Sequence, residues 1–297
     1  MSLYITIALV SYFFFALNGV SDKFLLTKVV KHPAVYAFYI SIGSLLVFLL
    51  APFGLRFLSL QNLFIAIIAG LCFTFALLFY YSAIRETSIS RILPIEGGLV
   101  PVLTLLFAYI TGIERLSNIQ ILAFVFLVFG SVLISFRKTG EGWQIKALKN
   151  GFFAAILFAF SFILTKYVYG QTDFLSGLIW TRLGLGLGAL CLLVPRAYRT
   201  EILNDPKKIS TSNVFLFYGL HLLGTIGSLL QQYAIAIGSV VIVNALQGAQ
   251  FTFVLLLSIF FSLFFPKVLK ENISRDALSQ KIFAIILISV GLAVLVL

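Results

Sequence analysis

From Ile209 to Pro266 the chain carries no Asp, Glu, Lys or Arg. A bilayer core ~30 Å thick is crossed by roughly 20 apolar helical residues. That one run therefore predicts two crossings joined by a minimal turn near Gly238 and Ser239. The same apolar-then-polar alternation recurs along the whole chain and marks ten helical runs. They are 3–22, 33–51, 61–84, 92–110, 118–136, 150–169, 174–194, 211–237, 239–265 and 278–297. The connections are short; the longest, 196–211, is too small to fold alone. The predicted fold class is an all-α polytopic membrane protein with ten transmembrane helices.

Composition agrees, with 61% hydrophobic residues, 10% charged residues and a mean hydropathy of +1.10. A net charge of +11 would suit nucleic acid, but its distribution points elsewhere. Loops after odd-numbered runs, together with Lys281 at the start of the tenth run, hold 17 Lys and Arg, among them Lys28, Arg137, Lys149, Arg199 and Lys270. The opposite side holds Arg56, Arg115 and Lys166, while Arg182 falls inside the seventh run. The positive-inside rule makes the crowded side cytoplasmic and both termini extracytoplasmic. The expectation is an integral protein of the plasma (inner) membrane that binds no nucleic acid. No Lys or Arg precedes the first run, which reads as a retained helix rather than a removable signal. Cys72 and Cys191 lie in apolar helices and suggest neither a disulfide nor a metal site, and no cofactor is expected.

The two halves resemble one another. Ala16, Lys23, Gly43 and Pro52 recur 143 residues later as Ala159, Lys166, Gly186 and Pro195. Ala83, Ile84, Ser88 and Gly97 recur at a separation of 151 as Ala234, Ile235, Ser239 and Gly248. The growing offset is what small loop insertions produce. Residues 1–146 and 147–297 are thus expected to be two five-helix repeats within one membrane domain. Five is odd, so the second repeat enters from the opposite side and the copies are inverted. Inverted repeats characterise secondary transporters and put the binding site near mid-membrane, between the halves.

The stretch Ala83-Ile84-Arg85-Glu86-Thr87-Ser88-Ile89-Ser90, Pro101 in the fourth run and Gly112-Ile113-Glu114-Arg115-Leu116-Ser117 together resemble the drug/metabolite transporter superfamily, specifically its EamA-type members with two five-helix repeats. In the second half Ala234-Ile235-Ala236-Ile237-Gly238-Ser239 matches the first element. The Glu-Arg turn is reduced there to Glu271-Asn272-Ile273-Ser274, and Asn18-Gly19 stands where the family has Trp-Gly. The resemblance covers essentially the whole chain through the order and spacing of its motifs. It implies a central cavity lined by both repeats and movement of small metabolites by alternating access. It also implies cytoplasmic termini, against the charge count, whose orientation is retained here.

Polar groups within the runs are the candidate substrate or coupling residues, because charge at membrane depth costs at least ~2.5–3.5 kcal/mol. Glu96 follows Pro94 and precedes Gly97-Gly98; its repeat counterpart is Gln247. It is either a proton-exchanging cavity carboxylate or an interfacial residue favoured by a helix N-terminus. Arg182 either pairs with an acid such as Glu96, attracts an anionic substrate group, or snorkels. Lys23 and Lys166 are flank charges unless their helices continue to about Val30 and Gly170. Gln231 and Gln232 point about 100° apart, so only one, with Gln232 the candidate, should reach the cavity fully. Asn244, Gln247 and Gln250 share a face at i, i+3 and i+6, lining a cavity or binding neighbouring helices. His221, mid-run, is a proton relay or an interhelical bond, and Asn18 completes the set. Gly184 and Gly188 form a Gly-x-x-x-Gly pair for close helix packing, within the chain or in a homodimer.

The function expected is secondary transport of a small organic metabolite, coupled to a proton or another ion. A lipid or lipid-carrier flippase is the nearest alternative. Intramembrane catalysis is not expected, since it would need a placed Ser and His or a cluster such as His-Glu-x-x-His, and only two histidines exist.

Overall fold

The computed structural model describes residues 2–28, 32–87, 92–93, 95–135, 145–204, 211–264 and 275–296, with the side chains of 19–28, 135, 211–221, 259, 261–264, 275–278 and 296 left aside. Every regular element among them is helical. In chain order they are α1 (Leu3–Lys28), α2 (Pro33–Gly43) continuing as a 3₁₀ stretch (Ser44–Phe53), α3 (Leu60–Glu86), a π turn (Ile95–Leu99) opening α4 (Val100–Thr111), and α5 (Asn118–Ser135). Then come α6 (Ile145–Gln171), α7 (Phe174–Leu192), the short surface helix α8 (Arg196–Asn204), α9 (Thr211–Ile237), α10 (Val240–Ala245), α11 (Gln247–Phe264) and α12 (Arg275–Val296).

Among the described residues, five stretches are long and apolar enough to cross a membrane: Pro33–Phe53, Leu60–Glu86, Ile145–Gln171, Phe174–Leu192 and Val240–Ser258. Five shorter apolar helices, Leu3–Asn18, Ile95–Thr111, Asn118–Ile134, Leu222–Ile237 and Ser279–Leu295, coincide with the remaining predicted runs. Leu49, Phe53, Phe57, Phe64, Phe129 and Phe283 stay exposed on the outside, which suits hydrocarbon and would be a liability in water.

Two runs depart from the expectation of unbroken helices. The fourth opens with the π turn, where Gly97 and Gly98 follow Pro94. The ninth breaks at Leu246, which separates α10 from α11. Two others are longer than expected: α1 runs on to Lys28 and α6 to Gln171, so Lys23 and Lys166 lie within helices rather than on their flanks.

Packing comes in pairs. α3 lies along α6, and α1 lies along α9; α4 also meets α6, and α11 meets α1; α5 pairs with α12. At the α3–α7 crossing a Cβ on Gly70 would strike the Thr181 carbonyl and the Leu185 amide, and one on Gly184 would strike the Ile67 and Ala66 carbonyls. The glycine row of α7 is therefore spent inside the chain, with Gly186 against Leu45 and Gly188 against Thr74. Thr74 Oγ1 adds a bond to the Leu185 carbonyl at 3.1 Å.

Asp173 starts α7. Its carboxylate accepts the Ser176 amide at 3.0 Å and the Ser176 hydroxyl at 2.8 Å, and faces Arg56 Nε at 3.8 Å. Burial alone would push this carboxyl up, but the bonds from Ser176 and the Arg56 charge outweigh it and hold it below its ordinary value. A depressed folded-state pKa stabilises above the unfolded value and loses that contribution as pH falls through the folded one. Asp173→Ala should cost about 1 kcal/mol of the helix cap. Asp173→Asn should cost less, and its deficit against wild type in thermal unfolding should shrink below about pH 4.

Candidate functional site

The π turn and the α10–α11 break lie against one another around α5. A Cβ on Gly97 would strike Ser131 Oγ and the Phe251 ring, and one on Gly248 would sit 3.0 Å from Ser131 Cβ. Between these breaks the Glu96 carboxylate accepts hydrogen bonds from Tyr80 of α3 and from Gln247 of α11. Glu96 and Gln247, counterparts in the expected repeat, are thus direct partners. Beside them Tyr12 of α1 donates to the Val243 carbonyl at 2.8 Å and accepts from Gln231 Nε2 at 3.2 Å. Val243 is the residue whose carbonyl the break at Leu246 frees, so Tyr12 repairs the interruption. Glu96 also lines a small cavity bounded by Tyr80, Ile92, Val100, Ala154 and Phe158.

A second, small cavity lies further along the α3–α6 interface and is lined by Phe73, Ser161, Thr165, Thr181, Arg182 and Gln232 among others. Arg182 is buried, and its Nη2 donates to Ser228 Oγ at 2.9 Å. Tyr169 donates to Gln232 Oε1 at 3.1 Å. The expected Arg182–Glu96 pair does not form: the ion pairs among the described residues are Arg56–Asp173 and Lys146–Glu86. Aromatic rings stand between the two cavities. Phe73 meets Phe158 edge-on at 5.2 Å and Phe162 at 6.1 Å, and both cavities border Phe73 or Phe158.

The turn between α9 and α10 is held by opposite charges. Lys166 Nζ donates to the carbonyls of Ile235, Ala236 and Gly238 at 2.9, 3.2 and 2.7 Å. Glu114, from the loop between α4 and α5, accepts the Val240 amide at 3.0 Å and the Ser239 hydroxyl. A cation thus sits on the C-terminal carbonyls of one helix and an anion on the N-terminal amides of the next, each matched to the helix dipole. The Tyr4 ring covers Gly238 so closely that no Cβ fits there.

The remaining candidates scatter. Asn244 is buried in α10, and its Nδ2 has no hydrogen-bond partner among the described residues. Asn18 packs on Gly224 of α9, with Oδ1 3.0 Å from where a Cβ would stand. His221 and Lys23 lie in α9 and α1, but their side chains fall outside the described residues. Gln231 and Gln232 are both engaged, one in each polar cluster, against the expectation that only one would be. Tyr12, Tyr80, Tyr169 and Ser228 were not singled out from the sequence; twelve tyrosines gave no basis for choosing among them. Glu114 carried a signal, its place in the Gly-x-Glu-Arg-x-Ser turn.

Residues 2–136 match the EamA-like transporter family. No curated protein matches the chain. Among 25 matching solved chains, one crystal structure superposes with a TM-score of 0.67 over 97% of each chain at 18% identity. That likeness is one of fold. The apolar helices, with that match over residues 2–136, point to an integral membrane protein.

Tyr12→Phe should leave both the Val243 carbonyl and the Gln231 amide without their buried partner. The expected cost is about 1–3 kcal/mol, read as a lower unfolding temperature of the detergent-purified protein at constant pH.

Proposed function

We propose that this chain, whose residues 2–136 match the EamA-like transporter family, is a ten-span secondary transporter that moves a small organic metabolite by alternating access. Its halves, 1–146 and 147–297, are inverted five-helix repeats enclosing the two polar clusters. The observation that carries this reading is the bond between Glu96 and Gln247, equivalent residues of the two halves, each beside an interrupted helix. Interrupted helices meeting at mid-membrane are the usual site-forming element of inverted-repeat carriers.

The packing supports the same reading. The α3–α6 and α1–α9 pairs correspond under exchange of halves, as do α4–α6 and α11–α1, while α5–α12 maps onto itself. Loop contacts sort as alternate crossings require. Arg56 meets Asp173, and Glu114 meets Ser239, all from connections after even-numbered runs. Glu86 meets Lys146 and Asn150, and the His32 ring meets Tyr198, all beside connections after odd-numbered runs. The latter face carries the excess of Lys and Arg and is cytoplasmic in this reading. The Lys166–Glu114 clamp then closes the opposite face, and its release opens it.

Glu96 is the proton-coupling group in this scheme. In proteoliposomes Glu96→Gln should preserve solute exchange between the two sides while reducing pH-gradient-driven uptake at least ~10-fold. Equal pH dependence in variant and wild type removes Glu96 from that role. Lys166→Met should favour opening of the clamped face, because three carbonyls lose their cation. Labelling of a cysteine introduced at Val241, buried in the present state, should then be faster than in the parent, in a background lacking Cys72 and Cys191. An unchanged labelling rate removes the clamp from gating.

A further inference from the structure

We infer that the Arg182 cavity is an oxyanion site, taking the carboxylate or phosphoryl group of the transported metabolite. The inference rests on the carrier reading above and adds the chemical class of the solute. Arg182 is 8% exposed and a guanidinium cannot shed its charge in a protein. A buried cation is costly unless paired. Its hydrogen bond to Ser228 is neutral, and neither ion pair among the described residues reaches it. The one carboxylate in the neighbouring cavity, Glu96, stands beyond the Phe73–Phe158 contact and is held by Tyr80 and Gln247.

What does face Arg182 is a set of donors. Gln232 takes the Tyr169 proton on Oε1, which leaves its NH₂ group for a second acceptor. The Thr165 hydroxyl lines the same space. Thr181 and Ser161 line it too, but their hydroxyls are committed to backbone carbonyls, of Gly177 and Leu178 for Thr181 and of Ala69 for Ser161. The free valence of the cavity is therefore positive and donor-rich, as an oxyanion requires. The planar fork of an arginine suits a two-oxygen acceptor. Phe73 supplies an apolar wall for the carbon skeleton behind that head.

The test is thermal unfolding of the full chain in neutral detergent at fixed ionic strength, with matched probes: succinate against succinamide, and glucose 6-phosphate against glucose. Phosphatidylglycerol forms a separate arm. A ligand of the native state raises the unfolding temperature. The expected result is stabilisation by at least one soluble anion and not by its neutral partner. Arg182→Gln should weaken that response by roughly 10-fold or more in apparent affinity, while Arg182→Lys retains part of it. If Arg182→Gln fails to fold, Gln232→Leu and Thr165→Val must weaken the same response. No shift with any soluble anion, a shift with phosphatidylglycerol alone, or an anion response untouched by these variants overturns the inference. Proteoliposomes separate it from the carrier reading: flux of neutral or cationic solutes alone leaves the carrier standing without an oxyanion site, whereas no flux of any solute removes both.

Discussion

Hydrocarbon offers no hydrogen-bond partner, so a helix interrupted at membrane depth must hand its freed backbone groups to protein. The break at Leu246 meets that requirement from outside its own element: Tyr12 of α1 reaches the Val243 carbonyl, and Gln231 of α9 in turn fixes the tyrosine hydroxyl. The interruption thus recruits two other helices, and the tyrosine that repairs it lies near Glu96. Ser131 of α5 lies against glycines from both interrupted runs, Gly97 and Gly248, which lets the two weak points share one support. A polar centre in an apolar medium is in this sense the by-product of a backbone that needed rescuing.

The same logic governs the ends of the helices. The α9–α10 turn is two residues of irregular chain, and its orphan carbonyls and amides find Lys166 and Glu114. Both charges come from other elements and sit where helix dipoles favour them. The Glu86 end of α3 is treated differently, by an amide from Asn150 and an ammonium from the exposed Lys146. One turn is held by a charge on either side, whereas the α3 terminus is held by one cation and one amide. The two helix ends therefore differ in how firmly they are fastened.

Apolar runs and short connections were legible in the sequence because the bilayer imposes a length on every crossing. The breaks were legible only in part. Pro94, Gly97 and Gly98 announce the first, while Leu246 carries no local signal, since nothing in a leucine says that the preceding carbonyl will be claimed by a distant tyrosine. Lys166 looked like a flank charge because a run boundary shows where hydrophobicity ends, not where a helix does. Arg182 and Glu96 were natural partners by charge; two phenylalanines from α3 and α6 stand between them. The sorting of Gln231 and Gln232 into separate clusters follows from their divergence around α9, yet which neighbour each would meet depends on helices 219 and 63 positions away in the chain.

At the α3–α7 crossing the glycines bring main chain onto main chain, with no layer of side chains between. Rotamer changes absorb sliding at ordinary helix contacts, and here there are none to change. These two helices are consequently bound to travel as one plank. Any relative movement in the bundle must fall on seams cushioned by larger groups, and the phenyl-lined boundary between α3 and α6 is such a bearing.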